Sequence, residues 1–163
     1  IKQIARSCSL DISETSRIKD MLGLLSLYFD KPLILINSHL DKQTKHLVCG
    51  YALGHYLEHQ LLMDLHTLNK FLTIKDKHIL LYEHNAFTSH LMLDSDEVYQ
   101  MTKRGLDAAQ ISAAKRIHLN LVLVKLLELH HLGYDLRHYH AQHHAFIKQF
   151  NLPAHFQFDV AAG

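Results

Sequence analysis

The rhythm of apolar and polar positions changes several times along the chain, and each change marks an element. Ile18, Met21 and Leu22 recur at helical spacing behind Asp11 or Ser13, and Asp11 with Glu14 has capping-box spacing. A short helix is therefore expected to open the chain and to stop at Gly23. Two apolar runs follow, Leu24 to Phe29 and Leu33 to Asn37, around Asp30-Lys31-Pro32, which reads as two strands joined by a tight turn. From Gln43 to His59 the period becomes helical: Val48, Tyr51, Ala52, His55, His59 and Leu62 share one stripe, with Asp41 as N-cap and Thr44 in the first turn. This predicts a core helix. Residues 65–77 read as a loop with a turn of helix around Leu68 to Leu72. Asp76 then caps a helix from Lys77 to Leu93, whose inward stripe is Leu80, Glu83, Phe87, His90 and Leu91.

The remainder is helical throughout. Asp94-Ser95-Asp96-Glu97 caps a helix that Gly105 ends. Asp107 and Gln110 have capping-box spacing and start a helix through Ile117; His118-Leu119-Asn120 makes a turn, and Leu121 to Leu132 forms a further helix ended by Gly133. A histidine-rich helix is expected from Tyr134 to about Phe150, with a tail from Pro153. The fold class that emerges is α+β and mostly helical, with a small β-sheet packed on the core helix and a helical module behind it.

Composition agrees: 163 residues with 48% apolar and 20% charged residues, 2 Pro and 6 Gly describe a globular, helix-rich chain. A net charge of +1 gives no electrostatic reason to expect nucleic acid or a membrane as partner. Cys8 and Cys49 make no disulfide framework, so a reduced, cytoplasmic setting is expected; no signal peptide and no apolar run of membrane-spanning length is seen. Histidine is over-represented, at 16 residues. Its densest group, Arg137 to His144, puts His140 and His144 on one helical face, where zinc or nickel would bind without a function.

The chemistry is expected on the core helix. His55 and His59 stand at i and i+4 on its inward face, a spacing that stacks two imidazoles one turn apart and suits a metal ion. The run CGYALGHYLEH around them resembles the active-site helix of the ImmA/IrrE metallo-endopeptidases, whose usual pattern is AHELGHxxxH. Leu53, Gly54, His55, Tyr56, Leu57 and His59 match it. A second block, Glu83-His84-Asn85-Ala86-Phe87-Thr88-Ser89-His90-Leu91-Met92-Leu93, is similar to the family's EANxFAxxLLM segment, in the right order.

The resemblance implies a zincin-like core over residues 1–93 and a helical module with a helix-turn-helix-like segment over 94–163. It also implies roles by position: Tyr51 stands at the first zinc ligand, Ala52 at the general base, His55 at the second ligand and Glu83 at the third. Alanine accepts no proton, and a phenol with a pKa near ~10 is a poor zinc ligand at neutral pH. The expectation is a degenerate scaffold, more readily metal-free than zinc-bound. One alternative reuses the helix: His55-Tyr56-Leu57-Glu58-His59 spells HxxEH, with Glu58 as base, His55 and His59 as ligands and Glu83 as the third.

The same resemblance implies a bacterial, phage or mobile-element protein whose partner is a helix-turn-helix repressor, inactivated by binding or by cutting. The run Leu33-Ile34-Leu35-Ile36-Asn37 is similar to the strand before the active-site helix, and in zincins an edge strand holds extended substrate by backbone pairing, so Leu35, Ile36 and Asn37 are the candidate peptide groove. A DNA reader would need basic or amide side chains along its second helix; LVLVKLLELHH offers Lys125 and two terminal histidines.

Overall fold

The structure is a computed structural model that describes residues 1–29, 31–59, 70–73 and 82–136. Packing divides the chain into two compact units, Ile1–Ile79 and Leu80–Gly163. The fold is α+β and mostly helical, as its pattern predicts. Among the described residues no helix is long and apolar enough to cross a membrane.

The first unit holds α1 (Lys2–Ser7), β1 (Asp11–Thr15), β2 (Met21–Tyr28), β3 (Lys31–Asn37), α2 (Lys42–His59) and β4 (Lys70–Thr73). The strands form one mixed sheet in the order β1-β3-β2-β4, with β1 parallel to β3 and the other pairs antiparallel. Along β3 burial alternates: Ile34 and Ile36 are buried, while Leu33 and Leu35 on the other face are half-buried. Leu25 of β2 lies opposite Ile34, and α2 packs over β2 and β3, so these side chains and the middle of α2 make the core.

Two expectations fail here. The helix expected over 11–22 is replaced by α1 further upstream, then β1, then the start of β2, which takes in Met21, Leu22 and Gly23. Capping residues are also edge-strand residues: β1 is polar because it lies at the sheet edge, and β3 supplies its ladder from Asp11↔Leu33 to Thr15↔Asn37. The loop expected over 65–77 contains β4, which adds to the other edge by pairing Lys70 with Leu25 and Thr73 with Met21. Four residues are too few to show a period, and the pairing partner decides the conformation.

Asn37 locks the β1–β2 connection. Its side-chain amide donates to the carbonyls of Ile18 and Met21, both at 3.0 Å, and its side-chain oxygen accepts from the His39 backbone at 3.0 Å.

The second unit is four helices, α3 (Tyr82–Met92), α4 (Ser95–Lys103), α5 (Ala108–Lys115) and α6 (Leu119–His131). The other three pack on α6, which is buried from Leu121 to Leu127 and again at Leu129. Their ends follow the sequence signals. Asp94 caps α4, accepting from the Glu97 backbone at 2.8 Å; Asp107 and Gln110 make a complete capping box on α5; Gly105 and Gly133 hold φ of +86° and +85° just beyond α4 and α6. The expected turn at His118–Asn120 is shorter, because His118 itself caps α6 through Nδ1. The histidine-rich helix, the His138–His144 cluster and the tail from Pro153 lie outside the described residues, as do Leu62 and the expected start of α3 at Lys77.

Candidate functional site

α2 is fixed at its N-terminus. The Asp41 carboxylate accepts from the backbone of Gln43 at 2.8 Å and of Thr44 at 3.0 Å, and from the Thr44 hydroxyl. One turn on, Lys45 donates to Glu14 of β1 at 2.9 Å, and that ion pair holds the Glu14 carboxyl below its usual range. From there the helix goes into the core. Every residue from Leu47 to Tyr56 is buried, so the single stripe expected from the pattern is exceeded on all faces. Burial pushes the Cys49 thiol up to about 11 and lowers the His46 imidazole, burial again being the leading cause.

Tyr51, Ala52 and His55 lie deep in this stretch, 4%, 1% and 4% exposed. Tyr51 and His55 are one turn apart and share a helix face, with Ala52 beside them. That segment presents one imidazole, one phenol and one methyl group. A methyl group neither binds metal nor takes a proton, and a zinc site in a protein uses at least three ligands. The helix runs without a break to His59, so the HxxEH residues occupy one continuous helix, but the side chains of Glu58 and His59 lie outside the described ones.

Glu83 sits in the first turn of α3, in the second unit, and is exposed. The inward stripe expected for α3 is displaced. The buried residues are His84, Asn85, Thr88 and Ser89, while Glu83 and His90 are exposed and Phe87 and Leu91 half-buried. Small polar residues can be buried here because their hydroxyls bond within the helix: Thr88 donates to the His84 carbonyl at 2.6 Å and Ser89 to that of Ala86 at 2.8 Å. Apolar periodicity cannot detect such a face. Among the described residues no group of three or more His, Cys, Asp or Glu side chains is placed to hold a metal ion. The described donors therefore do not make up a zinc site.

The groove expected at Leu35, Ile36 and Asn37 is corrected by the sheet order. β3 is an interior strand: Leu35 pairs with Ser13 on one side and Leu24 on the other, and Ile36 with Glu14 and Gly23. No backbone edge is left for a peptide. Ile36 faces the core, and the Asn37 amide is used by the β1–β2 connection. The edges of this sheet are β1 and β4.

A polar cluster in the second unit has no counterpart in the expected sites. Lys125 of α6 is 1% exposed, and its ammonium lies 2.8 Å from His90 Nδ1; His90 Nε2 is 3.1 Å from Glu128, which also accepts from the Tyr82 hydroxyl. Burial lowers the Lys125 pKa, and burial with the Glu128 contact raises that of Tyr82. The only sequence signal was a lysine within an otherwise apolar run.

A buried, histidine-bearing helix laid over a small mixed sheet, followed in the chain by a helical unit, is the element order of a metallopeptidase-type fold. The family model described as the IrrE N-terminal-like domain (Peptidase M78) matches residues 13–127, and the chain belongs to this ImmA/IrrE family. No curated protein and no solved structure matches it.

Proposed function

We propose that this chain is a regulatory member of its family that binds a helix-turn-helix repressor and does not cut it. The observation carrying this reading is Ala52: at the position of the general base, a methyl group stands 1% exposed, closed in by the core, with the Tyr51 phenol at the position of the first zinc ligand. Cleavage needs a base and a metal-bound water; binding needs neither. The setting that goes with this reading is the cytoplasm of a bacterial host, on a phage or mobile element, and the buried thiol of Cys49 suits a reducing compartment. DNA binding by the helical unit is disfavoured, since Lys125, the lysine of α6, is buried.

One observation favours the alternative of an active zinc endopeptidase: α2 continues helically through Glu58 and His59, so HxxEH is on one helix face with His55. Zinc content separates the two. The chain, purified without a metal column, is loaded with zinc and freed of excess, beside His55→Ala and His59→Ala variants. The binding reading predicts no zinc that depends on His55. About one zinc per chain, lost in both variants, would establish the shifted site.

A further inference from the structure

The β2–β3 hairpin ends in an aromatic tip that its own fold does not use. Tyr28 is 63% and Phe29 83% exposed, and their rings meet edge to face at 4.6 Å and 75°. Phe29 has φ of +48°. Tyr28 pairs with Lys31, which leaves a two-residue turn, and the first position of such a turn favours Asn or Gly because they tolerate positive φ. A bulky aromatic residue there is an outlier, and a strained residue kept in place points to a role beyond folding. The tip also ends a two-stranded ribbon. β1 begins opposite Leu33 and β4 opposite Leu25, so among the described residues the last three residues of β2, a length of about 10 Å, pair with β3 alone.

We infer that the Tyr28–Phe29 tip is an anchor that seats in an apolar pocket of a folded protein partner. This rests on the binding reading above and identifies the surface that does the binding. Three features select that occupant. The tip is convex, so its complement is concave. Next to the rings in sequence stand one acid, Asp30, and one base, Lys31, in a chain of net charge +1, without the basic cluster that holds a protein to an anionic membrane. The two rings offer on the order of 300 Å², well short of the roughly 1,200 Å² of a specific interface. A symmetric dimer through the tip alone is therefore too small, whereas two aromatic rings are the usual size of a central anchor within a wider contact.

The test uses Phe29→Asn in the full chain, which removes the ring and restores a residue suited to positive φ. A second variant, Tyr28→Thr, keeps a strand-forming residue. Both are compared with wild type for melting temperature and for affinity to purified helix-turn-helix repressors of the source genome, assayed one at a time. The melting temperature of Phe29→Asn holds or rises, and affinity for the repressor that wild type binds falls about tenfold or more in both variants. Unchanged affinity overturns the anchor and leaves the binding reading intact. Wild type binding none of the repressors overturns both. Association with a second copy, or with phosphatidylcholine vesicles, that depends on Phe29 while repressor affinity is unchanged also overturns the inference.

Discussion

Cys49 and Tyr51 lie two positions apart on α2, and both are shaped by the same burial. With its pKa near 11, the Cys49 thiol keeps its proton in the folded chain when the unfolded thiol, at 9.0, has lost it. The folded state then binds more protons, so stability falls as pH rises from 9 through 11, by about 3 kcal/mol in all. Denaturant titrations at pH 8 and pH 11 should show this loss in wild type and a smaller one in Cys49→Ala; equal losses would place the thiol in a wetter site. At this scale the sequence was informative wherever a residue's type settled its chemistry. Ala52 has no base to offer and Tyr51 no imidazole, wherever they lie. It was uninformative for Leu35, Ile36 and Asn37, whose roles depend on strands that pair from elsewhere in the chain.

Elements with a local signal were readable and those held by pairing were not. α4, α5 and α6 carry their own caps, and their bounds fall close to the sequence signals. β1 and β4 have no such signal; each is a short edge strand formed because an apolar neighbour needs a ladder. α3 was readable as a helix but not in its facing, because its buried side is polar, with the Thr88 and Ser89 hydroxyls bonded within the helix. Asn37 shows how the edge is secured. Replacing it by alanine leaves the carbonyls of Ile18 and Met21 without their donor and should cost about 2 kcal/mol, a fall in melting temperature of roughly 4–8 °C. No fall would mean that water takes over these bonds and that the connection is not locked by this side chain.

For the whole molecule, family membership and chemistry point in different directions. The chain belongs to the ImmA/IrrE family over residues 13–127, while the buried stretch of α2 carries a methyl group at Ala52 and a phenol at Tyr51, the positions that the proposed reading assigns to the missing base and the missing ligand. On the proposed reading, such a scaffold binds a repressor and does not cut it. The most direct measurement is to incubate the zinc-loaded chain with each helix-turn-helix repressor of its source genome, and to follow complex formation by size and repressor integrity by intact mass. A chain that binds without cutting gives a stable complex containing a repressor of unchanged mass, formed equally well by the His55→Ala variant. A shortened repressor that appears with wild type and not with His55→Ala would contradict it and return the chain to the active peptidases.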